Sequence, residues 1–232
     1  MLHEKQPMPF ELHELFDGSL KLYQPKQGYR FSVDSILLAE FAAAKAYGHV
    51  ADLGAGSGVL SLLLSRSAQV QQVTALEIQG DLVELILKNV SLNRCEGKVS
   101  VTQCDIRQIR KHFPAGFFDT VITNPPFYAA GTGKVNPDAQ KAAARHEVHG
   151  TLQDFLRAAA YLLKTGGSFF AVYNAERTAD LIAGMRQERI EPKVMQCVHP
   201  HKGEPATMVL VEGIKGAGVA LSIRPPLFVA QR

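Results

Sequence analysis

The run Val50-Ala51-Asp52-Leu53-Gly54-Ala55-Gly56-Ser57-Gly58-Val59-Leu60 constrains the fold of this 232-residue chain more than any other segment. It reads as a short buried strand, a glycine-rich turn and the start of an apolar helix. Glycines at alternate positions permit positive φ and let the backbone approach a ligand closely. The helix is expected to begin near Ser57 or Gly58, with its free N–H groups facing the turn. The spacing is not that of the dinucleotide fingerprint, because no third glycine follows at the required offset, and no Gly-Lys-Ser/Thr of a phosphate loop is present. Asp52, read as part of the turn, would repel a pyrophosphate and favour a cationic or ammonium-bearing ligand.

Further strands end in chemistry-bearing residues. Gln72-Val73-Thr74-Ala75-Leu76-Glu77 reads as a second strand closing on an acid, about 20 residues past the glycine turn, the offset at which nucleoside-binding sheets place a ribose acceptor. Val99-Ser100-Val101-Thr102-Gln103-Cys104-Asp105 reads as a third, with Asp105 able to accept an exocyclic amine. Each acid alone is equally a helix cap or a solvated loop residue. Three acids at successive strand ends, followed by Asn124 at a fourth, point to a ligand outside the carboxyl ends of a sheet.

That fourth end is Thr120-Val121-Ile122-Thr123-Asn124-Pro125-Pro126-Phe127. Proline donates nothing to a sheet ladder and biases the residue before it toward extended geometry. The strand therefore stops at Asn124 in a stiff corner carrying an amide, the Pro125 carbonyl and an aromatic ring. Such a set grips a planar group bearing an N–H. Helical patterns over 57–67, 81–93, 152–163 and 178–187 alternate with the strands, which predicts a mostly parallel sheet with helices on both faces. Residues 194–198 and 206–212 come without a helix between them and read as a hairpin with 200–205 as its exposed loop. Residues 1–46 read as an extension packing on the domain 47–232, with 31–34 as a strand-to-helix cap before a helix over 35–46. The breaker-rich stretch 129–138 reads as a lid that orders on substrate binding.

These segments resemble the class I S-adenosylmethionine-dependent methyltransferases. Gln27-Gly28-Tyr29-Arg30-Phe31-Ser32-Val33-Asp34-Ser35, the corner continued by Tyr128, Ala144-Arg145-His146-Glu147, Glu212-Gly213 and Arg224-Pro225-Pro226-Leu227 are similar to the bacterial valine-tRNA adenine N6-methyltransferase group. The resemblance implies an α/β, Rossmann-like fold with a seven-stranded sheet whose last strand is antiparallel. It implies S-adenosyl-L-methionine as cofactor, S-adenosyl-L-homocysteine as product and tRNA as partner. The residues it assigns to the cofactor are Tyr29, Phe31, Asp34, Asp52, Gly54, Ala55, Gly56, Gly58, Glu77, Ile78, Cys104, Asp105, Ile106 and Asn124, with Glu77 on the ribose and Asp105 on the adenine. Asn124, Pro125, Pro126 and Phe127 form the implied catalytic corner; Phe127, Tyr128, Lys134, Arg145 and Lys202 face substrate.

Plainer readings stand beside several of these. Asp34 serves equally as a helix cap, Tyr29 and Phe31 as packing, and Arg145-His146-Glu147 as a solvated helix start. Lys134, Lys141, Arg145, Lys202 and Lys215 are candidate phosphate contacts, though a single lysine is more often plain surface. Asn89 and Asn93 read as the end of a helix. Net charge is only +3, so any nucleic-acid footprint is local. The three cysteines are widely spaced with no C-x-x-C pair, and His199 with His201 lacks a third ligand, so neither a disulfide framework nor a metal is expected. No run is long and apolar enough to span a membrane and no signal-type leader is seen. A cytoplasmic monomer or weak homodimer is the expectation. Competing functions are methylation of a guanine amine or a protein glutamine amide, a small-molecule methyltransferase, and a non-catalytic RNA-binding protein of the same fold.

Overall fold

The computed structural model describes residues 10–26, 33–126 and 150–229. Their chain alternates strand and helix: β1 Phe10–Leu15, β2 Leu20–Pro25, α1 Val33–Ala42, β3 Gly48–Leu53, α2 Val59–Ser65, β4 Val70–Glu77, α3 Gly80–Leu92, β5 Val99–Gln103, β6 Phe118–Thr123, α4 Leu152–Leu162, β7 Leu163–Asn174, α5 Thr178–Gln187, β8 Ile190–His199 and β9 Met208–Lys215. Two short strands, β10 Ser222–Ile223 and β11 Leu227–Phe228, follow. The central sheet has the order β10-β8-β9-β7-β6-β3-β4-β5, with β11 also on β8. All neighbouring pairs are parallel except those of β9, which runs antiparallel between β7 and β8. The expected late hairpin and antiparallel strand are present. The sheet is nine-stranded rather than seven-stranded because β10 and β11 extend the β8 edge.

Alternation along each strand builds two cores. Val50, Ile122, Phe170, Val172 and Leu210 face α1, α2 and α3. Their sequence neighbours Ala51, Val121, Phe169, Ala171, Tyr173, Val209 and Val211 face α4 and α5. A strand buried on both faces carries apolar residues in succession, as Val121-Ile122 of β6 and Phe169-Phe170-Ala171-Val172-Tyr173 of β7 do. The helix patterns at 81–93, 152–163 and 178–187 match α3, α4 and α5 closely. Helix α2 starts at Val59, capped by Gly58 at φ 83°. Helix α1 covers Val33–Ala42 rather than 35–46, so at Val33 and Asp34 the expected strand-to-helix cap is corrected to a helical first turn; residues 31 and 32 lie outside the described residues.

Sequence reading missed the β1–β2 hairpin, a two-stranded sheet apart from the central one. Leu20 and Leu22 anchor it in the core. Two asparagines, Asn89 of α3 and Asn93 at its C-cap, clasp its second strand. Asn89, fully buried, accepts from the Tyr23 N–H at 2.7 Å and donates to the Tyr23 carbonyl at 3.0 Å. Asn93 does the same for Lys21, at 3.0 and 2.6 Å. Residues four apart lie on one helix face, so the pair meets alternate residues of the strand. Asn93 does finish the helix, as its C-cap, and grips β2 as well, whereas Asn89 lies inside the helix.

Candidate active site

The strand order reverses at β3, whose neighbours are β4 on one side and β6 on the other. Connections above such a switch point diverge and leave a crevice outside the carboxyl ends of the strands. The glycine turn follows β3 and the Asn124-Pro125-Pro126 corner follows β6, so both flank this crevice. The Thr123 hydroxyl, buried at the end of β6, donates to the Leu53 carbonyl at 2.9 Å. That bond fixes the corner beside the turn. Asn124 is half-buried, and its Nδ2 donates to Ser35 Oγ on α1 at 3.3 Å. Pro125 is buried. Pro126 borders a cavity of about 390 Å³ whose far wall is Thr151, Gln153, Arg177 and Gly184.

The turn folds back over β4: the Gly54 and Ala55 N–H groups donate to the Leu76 carbonyl at 2.9 and 3.0 Å. Gly54 has φ +69°, which favours glycine, and a Cβ there would crowd the Phe155 ring at 3.1 Å. Glu77 closes the turn from below. Its carboxylate accepts from the N–H groups of Gly56, Ile78 and Gln79, each at 2.9 Å. The acid assigned to a ribose therefore also holds the loop.

Asp52 lies within β3, not in the turn. The chain stays extended through Leu53 and turns only at Gly54, and the carboxylate is fully buried. One oxygen accepts from Ser61 Oγ at 2.7 Å. The other has no partner among the described residues, and neither does the buried Ser57 hydroxyl. Burial pushes the Asp52 carboxyl up to about 7, with the Glu77 charge adding to the rise and the Ser61 bond opposing it. A polar ligand with a cationic group would satisfy these leftover atoms.

The third strand ends at Gln103, two residues short of Asp105, which caps a 3-10 turn over Ile106–Lys111. Its carboxylate also holds the Arg107 guanidinium, Nε at 2.9 Å and Nη2 at 2.6 Å. Cys104 is buried, and desolvation, then the charges of Asp105 and Glu77, push its thiol up to about 11. Ile106 lies in the core against α4, Ile78 and Asp34 are half-buried, and Ala55 and Gly58 are buried in the turn. Lys202 is exposed in the β8–β9 loop; β8 is parallel to the strands that carry the site, so this loop rises on the same edge. Lys215 is corrected. It ends antiparallel β9 at the opposite edge, where its Nζ donates to the Leu163 carbonyl at 2.7 Å and burial lowers its basicity. Tyr29, Phe31, Phe127, Tyr128, Lys134, Lys141, Arg145, His146, Glu147 and the 129–138 stretch lie outside the described residues.

Reading the sequence missed Ser35, Ser61, Thr123 and Arg107. Ser61 alone had a local signal, a hydroxyl in the otherwise apolar run Val59–Leu64. Among the described residues no three acidic, histidine or cysteine side chains are grouped to hold a metal ion, and no helix is long and apolar enough to cross a membrane.

The sequence profile of the methyltransferase small domain family matches residues 30–190. The chain belongs to that family. A relative from Tolumonas auensis named tRNA1(Val) (adenine(37)-N6)-methyltransferase is 30% identical over 161 residues, covering 69% of this chain and 65% of that protein, just under two thirds of its length. An Agrobacterium tumefaciens structure titled as a predicted O-methyltransferase superposes with a TM-score of 0.67 at 25% identity, covering 84% of this chain and 86% of that one. The Thermus thermophilus 16S rRNA N2 G1207 methyltransferase, solved with AdoMet and guanosine, superposes with a TM-score of 0.64 at 21% identity, over 91% of this chain and 51% of its own, and shares the fold. The small-domain family match begins in the segment that carries Ser35 and extends past the corner through α5, so it spans both sides of the crevice.

Proposed function

We propose that this chain is an S-adenosylmethionine-dependent N-methyltransferase acting on the exocyclic amine of adenine in RNA, in the anticodon loop of a tRNA. The observation that carries the reading is the junction at the switch point, where the Thr123–Leu53 bond of 2.9 Å sets the amide corner beside the glycine turn. The names of the tRNA-modifying relatives support the choice of substrate. The family membership and the leftover polar atoms of Asp52 and Ser57 support the cofactor.

When bound, the cofactor supplies a methyl group activated by a sulfonium. Glu77 and Asp105 would hold its ribose and adenine, and Asp52 its cationic amino-acid end. Adenine's amine is a poor nucleophile because its lone pair is delocalised into the ring. Asn124 Oδ1 and the Pro125 carbonyl accept its two protons and turn the lone pair out of the ring plane. Phe127 stacks on the base, a contact worth about 1–3 kcal/mol. The base must be unpaired or extruded to enter, and an anticodon loop offers such a base at low cost. Orientation supplies much of the acceleration, so no strong base is required, and the surplus proton leaves after transfer.

The test is methyl transfer from labelled cofactor to total tRNA, total protein and duplex DNA, followed by nucleoside analysis. The expected product is N6-methyladenosine in tRNA. Label in protein alone, or on guanine, would replace this reading. Asn124→Ala should abolish transfer while cofactor binding, measured calorimetrically, persists.

A further inference from the structure

We propose that Ser35 is a positioning residue that holds the Asn124 amide with its oxygen toward the substrate; the inference rests on the function proposed above. An asparagine side chain carries an acceptor and a donor of nearly the same shape, and only its hydrogen-bond network decides which points where. A grip on an amine requires the oxygen to face the substrate. With the amide turned over, two N–H donors would meet the amine's own protons and the grip would become a repulsion.

In the structure the amide stands with Nδ2 toward α1, where the serine hydroxyl, itself able to donate or accept, accepts. Ser35 is 2% exposed, and its Oγ takes the Asn124 Nδ2 proton at 3.3 Å, from 89 residues away in sequence. Its place is rigid. The neighbouring Leu37, Leu38, Phe41 and Ala42 of α1 are buried in the core that α1 shares with α2 and α3, and Phe41 meets Phe170 of β7 edge-on with ring centroids 6.3 Å apart. Asn124 is rigid from its own side through Thr123 and the prolines that follow. With Nδ2 committed to α1, Oδ1 is left as the acceptor of the corner. The helix preceding the cofactor unit thus acts on the reaction through one hydroxyl, although Ser35 itself touches no reacting atom.

Two measurements on the full chain test this. The chain has five asparagines, so asparagine-selective 15N labelling resolves each side-chain amide. The Asn124 pair, assigned by its disappearance in Asn124→Asp, should be protected from solvent exchange in the native protein and lose that protection in Ser35→Ala. An unprotected pair in the native protein, or an unchanged one in Ser35→Ala, would overturn the proposal without any substrate present. In the transfer assay, Ser35→Ala should lower kcat about tenfold, the factor of one hydrogen bond's worth of orientation, with cofactor KM and thermal midpoint held. Ser35→Thr, which keeps the hydroxyl, should recover most of it. Ser35→Ala should also bind an RNA loop bearing inosine better relative to adenosine than the native protein does, because a freed amide can turn its N–H toward the inosine carbonyl. A kcat and an adenine preference unmoved in Ser35→Ala would refute the role of Ser35 while leaving the methyltransferase reading intact. A native protein that methylates no RNA would overturn that reading and this role together, whatever the amide spectra show.

Discussion

Replacing Asp52 by asparagine should make the cofactor-free protein more stable at pH 8 and leave it nearly unchanged at pH 5. The carboxyl is fully buried, bonded once to Ser61 at 2.7 Å, and raised from the usual 3.8 to about 7 by desolvation. Below pH 4 it is protonated whether the chain is folded or unfolded. Between pH 4 and 7 only the unfolded chain gives up the proton, so stability falls as pH rises. Above pH 7 both states are ionised and the loss is complete. At about 1.4 kcal/mol per pH unit the native carboxylate costs roughly 4 kcal/mol at pH 8 and between 1 and 2 kcal/mol at pH 5. An asparagine keeps an acceptor for Ser61 and leaves a buried N–H without a partner, at about 1–3 kcal/mol independent of pH. The variant should therefore gain about 2 kcal/mol at pH 8 and almost nothing at pH 5, a swing of about 2–3 kcal/mol. Urea unfolding of both proteins at the two pH values, without cofactor, measures it. A stability difference that is the same at pH 5 and pH 8 would refute the argument that Asp52 is a neutral acid forced to ionise. The same variant should bind cofactor more weakly at pH 8, so that stability and ligand affinity move in opposite directions.

Other perturbations have equally definite outcomes. Lys45→Met should lower the thermal midpoint by about 5 °C, because it strips the 2.7 Å ion pair from Glu212, whose side chain is 4% exposed, at a cost of about 2 kcal/mol; Lys45→Met with Glu212→Leu should recover most of the loss in a melting scan. Arg107→Ala should leave cofactor affinity unchanged or raise it a few-fold in calorimetry, since the guanidinium now occupies the Asp105 carboxylate that is assigned to adenine; a large loss of affinity would show that the arginine itself is part of the site. Cys104, buried and raised to about 11, should resist alkylation at pH 8 in the native protein and react only on unfolding, read by mass mapping.

What the sequence disclosed is what adjacent residues decide among themselves. The glycine turn needs positive φ, the prolines end β6, and period-2 and period-3.6 patterns place α3, α4 and α5; each signal lies within about a dozen residues. Asp52 lies two positions before the turn in which it was read, because nothing in Asp-Leu-Gly says that the extended strand continues through Leu53. The β1–β2 hairpin did carry an Asp17-Gly18 turn signal after the alternating stretch Phe10–Leu15, yet it was absorbed into an undivided extension. Strand β7 was obscured by Gly166 and Gly167 near its start. Every contact that joins the site across the chain was illegible: Ser35 to Asn124, Thr123 to Leu53 and Asn89 to Tyr23 span 66 to 89 residues. Such pairings exist only once the sheet order has brought the strand ends together.

The asparagine clasp on β2 has a consequence for how this protein can change over generations. Asn89 and Asn93 grip only peptide groups, at Tyr23 and Lys21, so they place no demand on the side chains of those two residues. Asn89 also donates to the Ser57 carbonyl at 2.9 Å, which links the hairpin to the glycine turn through one amide. The outer positions of the hairpin are therefore free to drift, whereas a single replacement at Asn89 would loosen a surface ribbon and the glycine turn at one stroke.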